Sequence, residues 1–315
     1  MLHSPDPPQR KAEAAREAEP GAALPETNLR DRLSDIAWPL GVSLGALLLW
    51  EALCRGFGVR PILLPPSSAI LAAMVTRGDL LFANLWPSVY QTVLAFLLSV
   101  VGGVLLGILI TYSVTARKGF YPLIVISQVV PKISIAPLFI VWFGTGAASN
   151  LLLAFLVSFF PMTINAAIGF RMVDEEVIAM ARGFMGSRWQ IFRTIRLPNA
   201  LPYLFGGMKI SITLAIIGVI VSEFVASQRG IGYLIKLAGG LLDTPLMMAA
   251  ITELSLAGLA LYGIIAWVER RVIYWLRRSR LFGQLPGRNK LKAGGRLLVT
   301  PFPEIKFILS CCGVL

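Results

Sequence analysis

The sequence predicts an all-α integral membrane protein with about six transmembrane helices. Of its 315 residues, 56% are hydrophobic and 15% are charged, and the mean hydropathy is +0.72. A soluble domain typically has roughly 45–50% apolar residues. Two charge-free stretches, residues 80–116 and 133–170, are each longer than the roughly 20 residues that a helix needs to cross the hydrocarbon layer.

The first two predicted spans lie near residues 36–57 and 85–113. The only charges of the first span are Glu51 and Arg55, which lie four residues apart near its end and are therefore positioned to pair. The second span falls within the charge-free stretch from residue 80 to residue 116 and is the clearest of the six.

The charge-free stretch of residues 133–170 predicts two spans rather than one. As a single helix it would extend roughly 57 Å, nearly twice the thickness of the hydrocarbon layer. The segment GTGAASN at residues 144–150 is rich in small residues that favour a turn. We therefore place the remaining spans near residues 121–143, 150–170, 205–227 and 246–268.

The distribution of Lys and Arg predicts the orientation, because these residues are enriched in cytoplasmic connections. With the N-terminus inside, the cytoplasmic segments hold 22 of them and the outer connections hold 5. Both termini are then cytoplasmic. We expect residues 1–35 to form a disordered cytoplasmic tail, residues 36–270 the membrane domain, and residues 271–315 a basic cytoplasmic tail.

The composition excludes several classes of function. The cysteines are Cys54, Cys311 and Cys312 and the only histidine is His3, so the chain offers neither a metal site nor a Cys-His catalytic pair. The sequence has no Gly-x4-Gly-Lys-Ser/Thr phosphate loop, so any ATP must be hydrolysed by another subunit. The net charge of +12 is assigned to the membrane edges and not to nucleic acid. No cofactor is expected.

The loop of residues 171–203, between the fourth and fifth spans, is the most informative segment. Ile178, Ala181 and Met185 recur at amphipathic helical spacing, and a second helix follows with Ile191 and Ile195. A loop of this length predicts a structured surface unit with a partner, although such a helix can also lie at the lipid interface. We expect Leu197-Pro198 to end the second helix, because proline disfavours helical geometry in the preceding residue.

This loop resembles the EAA loop of the permease subunits of binding-protein-dependent ABC importers. The pattern of that family is Glu-Ala-Ala, three residues, Gly, nine residues and Ile-x-Leu-Pro. Ile195, Leu197 and Pro198 match its end, whereas Met185 occupies the glycine position with Gly186 next to it. Residues 179–181, Ala-Met-Ala, stand where Glu-Ala-Ala is expected, so that only the last alanine is kept.

Two further blocks resemble the permeases for sulfonates, taurine, nitrate and pyrimidine precursors. They are residues 129–146, VVPKISIAPLFIVWFGTG, and residues 227–235, SQRGIGYLI, and a short LPPSS match at residues 64–68 accompanies them. The resemblance therefore extends over about residues 60–270 and leaves both tails outside it.

The resemblance implies a permease subunit of the inner membrane that is not itself an enzyme. The loop would form a coupling helix that docks on a separate ATPase subunit through Ala181, Met185 and Gly186, followed by Ile195, Leu197 and Pro198. The other implied partners are an extracytoplasmic solute-binding protein, membrane lipid and a second permease copy, with a homodimer expected. The implied cargo is a small solute, namely a sulfonate, nitrate, taurine or a pyrimidine-like nutrient.

Three charged residues within the spans are candidates for the translocation pathway. Lys132 lies beside Pro131 in the third span, where a charge is costly and by default functional. If that helix begins later, Lys132 instead extends to the cytoplasmic interface. Glu223 and Glu253 lie towards the outer ends of the last two spans, and buried ion pairs or interfacial caps explain them equally.

Two rival functions predict other sequence features. A secondary transporter driven by an ion gradient is expected to show internal repeats with interrupted helices in matching halves, and we find no convincing duplication. A membrane-embedded enzyme requires clustered His, Asp or Glu within the spans, whereas the acidic residues here are scattered and no histidine lies in a span.

Overall fold

The computed structural model describes residues 29–273 except Met185. Every regular element in this part of the chain is helical, which confirms the predicted fold class. The predicted tails, residues 1–35 and 271–315, lie largely outside the described residues. The helices are α1 Leu29–Gly56, α2 Ser67–Thr76, α3 Gly78–Tyr112, α4 Val114–Val129, α5 Ala136–Phe143, α6 Ala147–Arg171, α7 Glu175–Gly183, α8 Arg188–Ile191, α9 Leu197–Ala226, α10 Ile231–Gly240 and α11 Thr244–Val272.

Four continuous helical stretches are long and apolar enough to cross a membrane. They are Gly78–Tyr112, Ala147–Arg171, Arg188–Val225 and Thr244–Val272. They contain the predicted fourth and sixth spans and all but the last one or two residues of the predicted second and fifth spans. A fifth crossing results if α4 and the segment Lys132–Phe143 count as one span. Helix α1 covers most of the predicted first span but is not among these stretches, so a total of six spans stays a prediction.

The predicted third span, residues 121–143, is wrong as a single continuous helix. Helix α4 ends at Val129 and the chain bends by 87° before the segment Lys132–Phe143. Val130 precedes Pro131 and is extended, with φ −67° and ψ 126°. Proline disfavours the helical conformation in the residue before it, which explains the position of the break.

The predicted turn within residues 144–150 is confirmed. Helix α5 ends before Gly144 and α6 begins at Ala147. Gly144 has φ +79° and Gly146 has φ +145°, which are backbone conformations that residues other than glycine rarely adopt. The Ser149 hydroxyl donates a hydrogen bond to the carbonyl oxygen of Phe139 at 3.2 Å, which closes the turn.

The chain divides into two compact units. The first comprises residues 29–91, 134–153 and 219–257 of the described chain, and its core is built from α2, α3, α10 and α11. Ile231 and Leu234 of α10 are almost fully buried in this core. At its periphery, Glu51 of α1 accepts hydrogen bonds from the Ser67 and Ser68 hydroxyl groups, at 2.8 and 2.7 Å.

The second unit comprises residues 92–133, 154–218 and 258–273 of the described chain. Its core brings α3, α6 and α9 together, with Met162, Ala166 and Ala200 fully buried. A Cβ atom added at Gly107 would lie 2.6 Å from the Cβ of Ala166, and one at Gly103 would lie 2.9 Å from Met162 Cγ. The glycines therefore permit α3 and α6 to approach closely, as small residues do between membrane helices.

Candidate functional site

The candidate coupling loop, predicted at residues 171–203, contains a connecting segment, residues 172–196, that lies between α6 and α9 and begins with helix α7. Asp174 occupies the N-cap position, and Glu175 and Glu176 lie in the first turn, where negative charge interacts favourably with the helix dipole. Ile178 is only 6% exposed, so this face of the helix packs against the protein. The side of α7 that contains Ile178 therefore holds this helix against the rest of the protein.

A second apolar face of the loop is exposed. Met180 is 62% exposed and Phe184, which follows α7, is 82% exposed, while Val177 lies on the same side one turn earlier. Trp189 in α8 is 67% exposed. Large apolar side chains grouped in this way on a polar connecting segment are typical of an interaction site.

The turn between α7 and α8 is tightly defined. The N–H of Gly186 donates to the carbonyl oxygen of Ala181 at 3.2 Å, and a Cβ at position 186 would lie 2.9 Å from that oxygen. Ser187 then begins α8 with a capping box, in which its hydroxyl accepts from the N–H of Gln190 and the Gln190 side chain accepts from the N–H of Ser187. Gly186 therefore fixes the path of the turn.

The second loop helix does not end at Leu197-Pro198, so that prediction is wrong. Helix α8 passes through a π segment, Phe192–Arg196, directly into α9. The N–H of Leu197 bonds to the carbonyl oxygen of Phe192, five residues earlier. A π segment is rare and often functional, and here it widens the helix just before Pro198, which has no N–H to donate.

Phe192 joins the loop to the ends of two long helices. Its ring stacks on Phe170 near the end of α6, with centroids 5.8 Å apart, and on Trp189, with centroids 5.7 Å apart. It also contacts Tyr112, the last residue of α3, edge-on at 6.3 Å. The guanidinium of Arg196 lies over the Tyr112 ring at 4.8 Å. Phe192 therefore packs the loop against the ends of α3 and α6.

The structure separates the predicted coupling residues from the exposed apolar face. Five of the six predicted residues are half-buried, and Met185 lies outside the described residues; the five are Ala181, Gly186, Ile195, Leu197 and Pro198. Sequence reasoning missed Met180, Phe184 and Phe192. The apolar positions Val177, Met180 and Phe184 recur at helical spacing in the sequence, and this signal could have revealed the second face.

Lys132 lies at the bend between α4 and α5, at the first residue of a 3₁₀ turn. It is half-buried, and its Nζ lies 5.0 Å from the centroid of the Phe160 ring. This cation–π contact offsets part of the cost of placing the charge there. Lys132 is therefore at a helix break and not in the middle of a continuous span.

Glu223 is fully buried and caps the N-terminus of α10. One carboxylate oxygen accepts from the N–H of Gly232 at 2.9 Å, and the Ser88 hydroxyl lies 2.7 and 2.9 Å from the two oxygens. The N–H of Ile231 donates to Ser88 Oγ at 2.9 Å, and the N–H of Gly230 donates to Asn84 at 3.2 Å. Three otherwise unpaired amides of a helix N-terminus thus find partners, which favours the cap over the pathway alternative for Glu223.

The glycine at position 230 is required by this arrangement. Gly230 has φ +111°, and a Cβ atom at this position would overlap the carboxylate of Glu223. A Cβ at Gly232 would lie 2.7 Å from the carbonyl oxygen of Ile220. The Gly-Ile-Gly sequence at residues 230–232 therefore allows the start of α10 to approach the buried carboxylate closely.

The remaining charged side chains of the long helices differ in their partners. Glu253 is half-buried, and its Oε2 has no hydrogen-bond partner among the described residues. Lys209 pairs with Glu269, with Nζ and Oε2 2.5 Å apart, and it also lies 6.0 Å from the Tyr262 ring. Of Glu223 and Glu253, Glu253 is therefore the one with a carboxylate oxygen that no described residue contacts by a hydrogen bond.

Comparisons with known proteins identify the family. The profile of the family described as binding-protein-dependent transport system inner membrane component matches residues 99–274. The riboflavin transport system permease protein RibX of Chloroflexus aurantiacus is 35% identical over 267 residues, which are 80% of this chain and 97% of that protein. The putative aliphatic sulfonates transport permease protein SsuC of Bacillus subtilis is 30% identical over 269 residues, covering 82% and 97% of the two chains.

A solved structure shares the fold. A chain of the inward-facing MetNI methionine ABC transporter superposes with a TM-score of 0.54 at 16% identity, covering 62% of this chain and 98% of that one. The helical fold, the family profile and the relatives agree with the resemblance carried by the coupling loop. The chain therefore belongs to the family of binding-protein-dependent transport system inner membrane components and is an ABC transporter permease subunit.

Proposed function

We propose that this permease subunit imports a small solute with energy from a separate ATPase subunit that docks on residues 172–196. The main support for the proposal is that the loop exposes an apolar face and that its residue Phe192 packs against the ends of α3 and α6. A docking surface needs apolar area that a partner can bury. A coupling element also needs a stiff connection to the helices that it moves, and Phe192 provides one.

The docking surface consists of Val177, Met180, Phe184 and Trp189. Their exposure supports contact with a partner, because a soluble loop gains nothing from presenting such side chains to water. The predicted coupling residues Ala181, Gly186, Ile195, Leu197 and Pro198 would act beneath this surface, by holding the turn and the helix that follows. Met185 lies outside the described residues, and its proposed docking role rests on the sequence resemblance alone.

The movement of the ATPase would reach the membrane helices through Phe192. The ring is packed between the loop residue Trp189 and the helix ends at Phe170 and Tyr112. Because packed interiors respond to displacement by discrete rearrangement, a shift of the loop would reposition α3 and α6 together. The π segment after Phe192 supplies the place where α8 can turn relative to α9.

The proposed cargo is a small organic or inorganic anion or a pyrimidine-like nutrient. Relatives of this chain include a formylaminopyrimidine transport permease, 29% identical, and the taurine transport permease of Escherichia coli, 28% identical. A solute-binding protein on the outer side would deliver the cargo. Lys132 and Glu253 are the proposed pathway residues, whereas Glu223 is proposed to act as the cap of α10.

The proposed assembly contains two permease copies and two ATPase subunits. A two-fold homodimer closes the assembly with one kind of permease interface, and each copy would contribute half of the translocation path. The proposed orientation places the loop and both termini in the cytoplasm, because Lys and Arg are concentrated in the segments on that side.

The test is reconstitution of the full chain with the ATPase and binding protein encoded beside its gene. We expect vanadate-sensitive ATP hydrolysis and solute uptake to depend on the ATPase subunit. Met180→Asp should reduce co-purification of the ATPase at least tenfold, because it places a charge in an apolar interface. Ala179→Asp is the matched control, since Ala179 is exposed on the same helix but lies 100° away from Met180.

Two results would contradict this proposal. Uptake driven by an ion gradient in liposomes that contain only this chain would show that no ATPase is needed. Equal loss of ATPase binding in Met180→Asp and Ala179→Asp would show that the exposed apolar face is not the docking surface.

A further inference from the structure

A cavity of about 310 Å³ lies between α3, α4 and α6 of the second unit. Its walls are mainly aliphatic, from Ile110, Ile124, Ile164 and Ala167. This volume is at the lower end of the range of roughly 300–1,000 Å³ that is typical of small-molecule sites. Tyr121, Thr163 and Arg171 supply its polar atoms.

The cavity lies where three helices end or begin. Tyr112 ends α3, Val114 begins α4 and Arg171 ends α6, and the cavity residues are within a few turns of these positions. For helices long enough to cross a membrane, such ends lie at the boundary between the hydrocarbon layer and the headgroups. By this argument the aliphatic walls would face acyl chains and Arg171 would lie at the level of the headgroups.

Two arginines at this boundary form no ion pair with an acidic residue of the described chain. The ion pairs of the described residues involve neither Arg117 nor Arg171. Arg117 lies four residues before Tyr121 and hence on the same face of α4, and its buried Nε has no hydrogen-bond partner in the described chain. The acidic residues Asp174, Glu175 and Glu176 begin the next helix but do not pair with Arg171.

From the cavity and these two cations we propose a site for an anionic phospholipid. Its phosphate binds Arg171 and Arg117, and one acyl chain occupies the cavity along Ile124 and Ile164. Basic pockets between membrane helices recognise the headgroups of anionic lipids in this way. The charge complementarity favours this occupant over a zwitterionic lipid, because two unpaired guanidinium groups attract a net negative headgroup. The site does not depend on the docking of an ATPase.

The site lies next to the contact between Phe170 and Phe192, which joins α6 to the candidate coupling loop. Arg171 directly follows Phe170, whose ring stacks on Phe192. A lipid bound to Arg171 would therefore hold the end of α6 in the position that Phe192 requires. Occupancy of the site is expected to stabilise the loop without contacting the exposed apolar face.

The experiment measures retention of dioleoyl phosphatidylglycerol and dioleoyl phosphatidylcholine by the full chain, using native mass spectrometry after detergent exchange. We expect the wild type to retain phosphatidylglycerol in preference to phosphatidylcholine. Each of Arg117→Gln and Arg171→Gln should weaken the binding of phosphatidylglycerol by about fivefold, the typical effect of one basic residue near an anionic lipid surface. Arg193→Gln is the matched control, because Arg193 is an exposed arginine outside the cavity.

A second variant tests the cavity without removing charge. Ile168 lines the cavity and is 43% exposed. The larger side chain in Ile168→Trp would therefore fill the cavity, and the exposed position can accommodate it without disrupting the fold. We expect it to reduce phosphatidylglycerol retention while both arginines remain. Equal retention of the two lipids by the wild type, displacement of phosphatidylglycerol by inorganic phosphate alone, or unchanged retention in the Arg117→Gln/Arg171→Gln double variant would each overturn the proposal.

Discussion

Replacement of Glu223 distinguishes a helix cap from a charge in the translocation pathway. In Glu223→Ala the N–H of Gly232 loses its acceptor, and a buried unsatisfied donor costs about 1–3 kcal/mol. The Ser88 hydroxyl can turn to the Asn84 carbonyl oxygen at 3.3 Å, so it recovers a partner. The emptied side-chain volume adds about 1–2 kcal/mol. We expect the start of α10 to be destabilised by about 3 kcal/mol.

Glu223→Gln should behave differently because it preserves the shape and the acceptor. The amide oxygen can accept from Gly232, and the amide nitrogen can donate to Ser88 Oγ, whose hydroxyl then turns to Asn84. Gly232 and Ser88 both keep a partner, and removing the buried negative charge offsets the cost of the second amide N–H, so we expect a change below about 1 kcal/mol. A cap therefore tolerates glutamine, whereas a pathway role that needs the negative charge does not.

The assay is hydrogen exchange of the peptide that contains Gly230, Ile231 and Gly232, measured in the full chain in nanodiscs. A loss of about 3 kcal/mol corresponds to roughly 150-fold faster exchange in Glu223→Ala, and Glu223→Gln should change it by less than about fivefold. Transport by the Gln variant should stay near that of the wild type. Unchanged exchange in Glu223→Ala would refute the cap, and transport abolished by Glu223→Gln with unchanged exchange would show that the charge itself has a pathway role.

Substitutions at three further sites, with their controls, test other parts of the structure. Gly107→Ala should lower the free energy of unfolding by about 1–3 kcal/mol, because the α3–α6 contact has no room for a methyl group. Gly263→Ala is the control and should leave the free energy of unfolding unchanged, because Gly263 has open space around it. Thermal unfolding in nanodiscs measures both variants. Phe192→Ala should lower the solute imported per ATP hydrolysed while ATPase binding persists, and an unchanged ratio would argue against Phe192 as the link. Lys209→Ala should lower the free energy of unfolding by about 1–3 kcal/mol, because it leaves Glu269 unpaired. The double variant Lys209→Met with Glu269→Leu should recover most of this stability, as measured by denaturant titration.

The hydrophobic pattern was sufficient to predict the fold class and most spans. Charge-free length located α3 and α6, and apolar stretches of about 20 residues located α9 and α11 although these helices contain charged residues. The small residues at 144–146 also predicted the turn correctly, since the positive φ angles of Gly144 and Gly146 are what such residues permit. These signals depend on short stretches of sequence, so they can be recognised without knowledge of the tertiary contacts.

The parts that failed depend on how neighbouring helices pack. The bend at Val130 required knowing that Pro131 would break the span instead of being accommodated within it. The opposite outcome occurred at Pro198, where the π segment carries the helix through. Proline alone does not distinguish these cases.

The exposed side of an amphipathic helix is also decided by tertiary contacts. The sequence offers two apolar stripes on α7, one through Ile178 and one through Met180, and packing buries the first. In the same way, the partners of Glu223 come from Ser88, 135 residues away in the chain, and from the start of α10. No local pattern predicts a hydrogen bond over that separation.

Photo-crosslinking tests the central claim most directly. Benzoylphenylalanine placed at Met180 in the full chain, in cells that also produce the neighbouring ATPase subunit, should yield a crosslink to that ATPase. The same probe at Phe57, which is 79% exposed and lies after α1 at the predicted outer side, should not. A crosslink to the ATPase from Phe57, or none from Met180 while the complex hydrolyses ATP and transports, would contradict the account.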